Sequence, residues 1–227
     1  MHRYALYYVP PPGTALAAFG ARWLGRDACA PPEGAGVSAE DWRRAVATPR
    51  RYGFHATLKA PFRLAEGKDE RTLGEALERF CRARGPAPVG KLALRVLSDF
   101  LVLAPLDPRA GAALAADCVS AFDSFRAPST AAEIARRRPD RLTASQKAKL
   151  ERWGYPYVFE DYRFHLSLTG PLESGDRARF GAHIARMALA AIAEPVEIAE
   201  ICLCGQTSPD ADFVVLARFA LGRPPQR

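Results

Sequence analysis

The chain has 227 residues, 48% of them apolar and 25% charged, with 32 lysines and arginines against 25 acids for a formal charge of +7. That length holds one large domain or two small lobes and buries a core of its own, and the apolar content excludes a disordered chain. No apolar run approaches the ~18 residues of a membrane span, and the basic balance suits an anionic partner, a small phosphate ester or a nucleic acid, without choosing between them.

Residues 4–9 read as an aromatic-rich β-strand stopped by Pro10-Pro11-Pro12, with no helical apolar region and no small-residue cleavage site, so no secretory leader is expected. Helical patches follow at 15–24 and 39–47, the second with Ser38 as N-cap, and 54–61 returns to strand. Residues 69–84 are an amphipathic helix: Leu73, Leu77, Phe80 and Cys81 recur at helical spacing, and Gly85 stands where a C-terminal glycine belongs. Two short β-rich runs, 92–97 and 100–106, turn at Ser98-Asp99. Asp107-Pro108 offers an N-cap and a first-turn proline for a helix expected to reach Phe125, burying Leu114, Cys118 and Phe122.

Residues 127–161 break this rhythm. They hold the basic run Arg136-Arg137-Arg138, a helix from Thr143 whose capping box is closed by Gln146, a stop at Gly154 and an aromatic-rich end, and they read as an insertion or lid. A strand at 164–172, a helix at 176–192 and strands at 196–204 and 213–221 complete the chain, and 223–227 is expected to fray. Cys29, Cys81, Cys118, Cys202 and Cys204 are odd in number and scattered, which suits reduced thiols in a cytoplasmic protein; nothing spaced around Cys202 and Cys204 completes a zinc set.

The two halves repeat. Tyr52-Gly-Phe-His-Ala-Thr-Leu-Lys-Ala-Pro-Phe62 aligns without gaps to Tyr162-Arg-Phe-His-Leu-Ser-Leu-Thr-Gly-Pro-Leu172, and each copy is followed by an amphipathic helix and two strands. The plan predicts an α+β, bilobal, pseudo-twofold duplicated fold. Each lobe would be an antiparallel-rich sheet with flanking helices, one centred on 52–97, the other on 162–204. Strand alternation sends Phe54, Ala56, Leu58 and Ala60 one way and His55, Thr57 and Lys59 the other; in the second copy His165, Ser167 and Thr169 share the outward face. Opposed strands would then bring two imidazoles and two hydroxyls into one groove. One neutral and one protonated imidazole can serve as general base and general acid across a phosphorus. Thr57 and Ser167 would donate to its non-bridging oxygens, and Lys59 and Arg163 are further candidate phosphate contacts. The set needs neither metal nor cofactor: the chain has no P-loop, no His-Glu-x-x-His and no Gly-x-Ser-x-Gly elbow.

His55-Ala-Thr57 and His165-Leu-Ser167, one His-x-Thr/Ser motif per half, resemble the signature of the 2H phosphoesterase superfamily, which includes RNA 2′,3′-cyclic phosphodiesterases and 2′-5′ RNA ligase-like proteins. The resemblance implies facing motif strands, His55 and His165 as the acid–base pair, and Thr57 and Ser167 as phosphate ligands. The fuller wording, with Trp153-Gly-Tyr-Pro-Tyr-Val158 ahead of the second motif, is similar to a bacterial branch associated with phosphonate metabolism. A cyclic phosphodiesterase acting on a cyclic nucleotide or ribose cyclic phosphate is the reading this implies. RNA end-processing or 2′-5′ ligation on an RNA partner, and a non-catalytic nucleotide-binding module, are the alternatives. Tyr52 and Tyr162, three residues before their histidines, read as packing; His183 as a partly buried or surface residue; Arg136–Arg138 as a solvated charge cluster, with a lid contact to phosphate or an RNA-tracking patch as the rival reading.

Overall fold

In chain order the elements are β1 (Arg3–Tyr8), α1 (Ala15–Leu24), α2 (Ala39–Tyr52), β2 (Ala56–Phe62), α3 (Glu70–Arg82), β3 (Ala87–Gly90), β4 (Leu92–Leu97), β5 (Phe100–Pro105), α4 (Ala112–Ala121), α5 (Ala131–Ala135), α6 (Ala144–Trp153), β6 (Leu166–Ser167), α7 (Ser174–Ala188), β7 (Val196–Ile198), β8 (Glu200–Gln206) and β9 (Val214–Ala220). They come from a computed structural model that describes residues 1–25, 31–32 and 36–222; Cys29 and the tail at 223–227 lie outside the described residues. The fold is α+β, with every described strand pair antiparallel.

Each principal sheet draws on both halves of the chain. One has the order β2-β1-β8-β9, so the first motif strand pairs with the opening strand and extends through the terminal pair. The other has the order β4-β5-β6, so the second motif strand sits on the hairpin that follows the first motif. A small ladder pairs β3 of the first half with β7 of the second; β7 falls within the strand expected at 196–204, whereas no strand is expected at β3.

Helix signals and structure agree where local chemistry decides. Ser38 caps α2 through Asp41 N, and Thr143 and Gln146 close a capping box on α6, whose C-cap Gly154 is left-handed at φ 72°. In α3, Leu73, Leu77, Phe80 and Cys81 are the buried face, as their spacing required. Four cysteines, Cys81, Cys118, Cys202 and Cys204, are buried free thiols. Two indoles tie the helices to the second motif: Trp23 Nε1 donates to Leu168 O at 2.8 Å, and Trp42 Nε1 donates to Trp23 O at 3.0 Å. No helix among the described residues is long and apolar enough to cross a membrane.

Several boundaries differ from the sequence reading. The helix expected from Pro108 begins at Ala112, because Asp107 Oδ1 accepts from Arg109 N at 2.9 Å and closes a turn instead; Gly111, at φ 70°, then supplies the N-cap. That helix stops at Ala121, and Asp123–Phe125 is a separate 3-10 turn. α2 runs on through Pro49, which forfeits one backbone donor, to Tyr52. The strand expected over 164–172 contracts to β6, and the one over 196–204 is split into β7 and β8.

Candidate active site

The two faces of β1 explain how the first motif is presented. Tyr4, Leu6 and Tyr8 enter the main core, while Ala5 and Tyr7 join Cys202, Cys204 and Phe213 in a small separate cluster. Tyr7 is the register partner of Thr57, so Thr57 lies on the same face as Tyr7. The imidazole of His55 stacks on the Tyr7 ring with centroids 3.7 Å apart and planes at 26°. His55 Nδ1 lies 2.8 Å from Gly53 O; a carbonyl only accepts, so Nδ1 carries the proton. Nε2 is thereby presented as the proton-accepting nitrogen of the neutral ring, 3.2 Å from Thr57 Oγ1.

The second motif repeats this device. His165 Nδ1 lies 2.8 Å from Arg163 O, again the carbonyl two residues back, so Nε2 is again the exchangeable nitrogen. Burial pushes the His165 pKa below the usual 6.5, opposed in part by that backbone hydrogen bond. Phe100 tilts against the ring at 6.3 Å, and Ser167, half-buried, pairs with Val102.

Lys59 corrects the simple alternation. Tyr7 pairs with Thr57, but the next partner of β1 is Leu6 with Lys59, so Leu58 is an extra residue in β2. The bulge turns Lys59 to the face of Leu6 and away from Thr57. It is 3% exposed, donates to Val119 O at 3.1 Å and lies 3.9 Å from Asp123 Oδ1. Desolvation brings its pKa down to about 8. The equivalent residue of the second copy behaves alike: Leu168 N and Thr169 N both donate to Leu101 O, and Thr169 is buried with its Oγ1 accepting from Leu101 N at 3.0 Å. In both copies, therefore, the outward face ends at the hydroxyl residue.

Thr57, Arg163 and His165 line one cavity of about 330 Å³, whose other walls include Phe100, Tyr155 and Tyr157. His55 bounds a neighbouring cavity of about 290 Å³ with Tyr52, Gly53 and Phe213, and its hydrogen bond to Thr57 links the two. Ser167 lines neither. Arg163 is exposed, and its Nη1 donates to Glu160 O at 2.8 Å and Tyr162 O at 2.6 Å, which fixes the guanidinium to its own loop. Tyr52 ends α2 and does not belong to a strand; it stacks on Phe213 at 5.4 Å with its ring 6.4 Å from His55. Tyr162 is buried. His183 is half-buried and faces Arg186.

Sequence reasoning missed Tyr7, Phe100, Tyr155 and Tyr157. Tyr7 becomes visible only once β1 and β2 are paired in register. The aromatic density of 153–162 was plain, but not its direction, which is into the wall beside His165.

Fold and site together define a mixed α+β protein with a duplicated histidine–hydroxyl strand, each histidine tautomer set by its own backbone. The family model described as "Protein of unknown function (DUF1045)" matches residues 57–214, and the chain belongs to that family. The chain is 41% identical over 234 residues to the "Ribose 1,5-bisphosphate phosphokinase PhnN" of Janthinobacterium sp. (strain Marseille), an alignment covering 96% of this chain and 51% of that protein. It is 40% identical over 204 residues to the protein of the same name from Laribacter hongkongensis (strain HLHK9), covering 86% of this chain and 46% of that one. The chain thus spans about half the length of the curated relatives it matches.

Proposed function

We propose that this protein is a phosphoesterase of the 2H type that opens a cyclic phosphodiester, with His55 and His165 as its acid–base pair across a pseudo-twofold, bilobal framework. The observation that carries the reading is the repeated latch: in each copy Nδ1–H is held by the carbonyl two residues back and Nε2 is left to exchange protons beside the motif's own strand. His165, kept neutral at pH 7 by burial, takes a proton from water as its oxygen attacks phosphorus. The P–O bond to the sugar breaks, and the departing alkoxide takes the Nε2 proton of His55, which enters the reaction as the imidazolium and leaves it as the neutral Nδ1–H ring, giving a phosphomonoester. Thr57 donates to a non-bridging oxygen, Arg163 neutralises charge at the cavity mouth, and Ser167 is the corresponding hydroxyl of the second copy.

The relatives' printed name supports a ribose phosphate as the substrate class, which includes a ribosyl cyclic phosphate from phosphonate breakdown. It does not support placing a kinase in this chain. The nearest approach to a phosphate-binding loop, Gly85-Pro-Ala-Pro-Val-Gly90-Lys91-Leu92, has leucine in place of the metal-binding hydroxyl and runs from β3 into β4, with no helix N-terminus to receive a phosphate. We assign the kinase name to the part of those relatives that this chain does not match.

The test is hydrolysis of 2′,3′-cyclic nucleotides and ribose cyclic phosphates, followed by phosphorus NMR with EDTA present. Each role contributes ~10²–10⁴ in rate, so His55→Ala and His165→Ala should each lose at least about a hundredfold. Equal turnover by the double variant would overturn the mechanism, and loss of activity to EDTA would overturn its independence of metal.

A further inference from the structure

The basic run read from sequence as a solvated cluster is part of a built cavity. Exposed Arg136 and half-buried Arg137 converge with Arg3, Arg51, Arg63 and Arg126 on a space of about 360 Å³. These six residues come from β1, α2, the residue after β2, the turn after α4 and the two residues beyond α5's C-cap side, so only the tertiary fold assembles them. Two carboxylates, Glu133 and Asp210, also line it. Six guanidiniums against two carboxylates leave +4, and counting Asp123, which pairs Arg126 at 2.9 Å, still leaves +3.

The donors are held in advance. Arg63 is fixed by Glu133 at 3.1 Å and Arg3 by Gln206 at 2.6 Å, while Arg137 lies over the Tyr155 ring at 4.7 Å. Each guanidinium has five N–H donors, and these contacts leave some unspent. The Arg136 guanidinium has neither an ion pair nor a hydrogen bond among the described residues; only its backbone N–H is used, donating to Ala132 O. Like charges gathered this closely repel unless an anion sits among them, and planar N–H forks match the oxygens of a phosphoryl group. The volume lies in the range of small-ligand sites. Tyr52 is a shared wall: it lines this cavity and the one containing His55.

We propose that the arginine cavity is a second anion site, taking a phosphomonoester or diphosphate group other than the phosphorus that reacts. The group could belong to the substrate or to a separate small anion; the chemistry of recognition is the same. Only the link to substrate rests on the proposed function, since binding is measured without turnover.

Calorimetric titration of the whole chain with inorganic pyrophosphate tests it. The expected result is one-to-one binding that weakens with salt, survives in the His55→Ala/His165→Ala protein and falls at least about tenfold in Arg136→Gln/Arg137→Gln. Arg136→Gln alone, whose guanidinium has no partner among the described residues to lose, keeps the comparison readable if the double variant misfolds. Absence of binding, or undiminished binding in the arginine variants, overturns the site. The sources separate on a pair of cyclic phosphates, one bearing an additional phosphomonoester. A KM raised tenfold by the arginine variants only for that substrate assigns the cavity to substrate; unchanged KM for both, with pyrophosphate binding lost, assigns it to a separate anion. If neither substrate is turned over, the proposed function fails while the titration still decides the site.

Discussion

Replacing Lys59 with methionine should stabilise the protein at neutral pH, although the native side chain makes a hydrogen bond and lies near a carboxylate. Burial lowers the ammonium from 10.5 to about 8. At ~1.4 kcal/mol per pH unit, that amounts to about 3 kcal/mol held against the fold while the group is protonated in both states. The sign follows from proton counting: between pH 8 and 10.5 the unfolded chain binds more protons than the folded one, so this group's contribution to stability rises with pH through that window. Below pH 8 the full cost is present. Lys59→Met removes it, forfeits about 1 kcal/mol from the bond to Val119 O, and leaves Asp123 still paired with Arg126 and Arg152. The variant should therefore be more stable than the native protein by about 1–2 kcal/mol at pH 7, and this advantage should close by pH 10. Urea unfolding of both proteins at pH 7, 8.5 and 10 measures it. Burial also raises Cys81 to about 12 and Cys202 to about 11, which lowers stability at alkaline pH, but equally in both proteins, so the difference isolates Lys59. A difference constant across the range, or a variant less stable at pH 7, would refute the inward placement of the ammonium.

Tyr7→Phe removes a buried hydroxyl that has no hydrogen-bond partner among the described residues while keeping the ring under His55, so stability from urea unfolding should hold or rise by up to ~1 kcal/mol; a loss larger than that would reveal a partner for the hydroxyl. Proton NMR of His165 should give a titration midpoint below 6.5, with stability increasing as pH rises through the interval just beneath that value and a smaller increase in His165→Gln. A midpoint at or above 6.5 would remove the argument for His165 as base. Gly20→Ala would put a Cβ 2.0 Å from Phe54 Cδ1, and the overlap should cost ~1–3 kcal/mol by thermal or urea unfolding and displace the residue next to His55. Native-like stability would show that Phe54 can move aside.

What the sequence revealed was what short-range chemistry decides. Ser38, Thr143 and Gln146 announced helix starts because a cap satisfies backbone donors within three residues, and the apolar spacing of α3 named its buried face. The duplicated motif located Thr57 and Ser167 on strands, with His55 and His165 at the residue preceding each strand. The neighbouring pairs β4–β5 and β8–β9 were legible, but long-range pairing was not, because hydrogen bonds between β1 and β8 or β5 and β6 join residues far apart in the chain. The face of Lys59 was misread for a related reason: alternation assumes one residue per partner, and the extra residue at Leu58 appears only when the register with β1 is known. The Asp107-Pro108 signal failed differently, since an aspartate that caps a helix can equally close a turn.

The two copies share their devices but not their surroundings, and that difference is what an acid–base pair requires. Both histidines surrender Nδ1–H to the same relative carbonyl, and both strands bulge just after the hydroxyl. The partners then diverge: His55 lies flat on Tyr7, whereas His165 is tilted beside Phe100 in an aromatic-walled cavity. A strictly symmetric site would give both rings the same affinity for protons, and neither would be preferentially charged at the start of a reaction. In the mechanism proposed above, the repeated motif supplies two alike imidazoles, and the unequal walls around them are what would let His165 begin neutral and His55 begin as the donor.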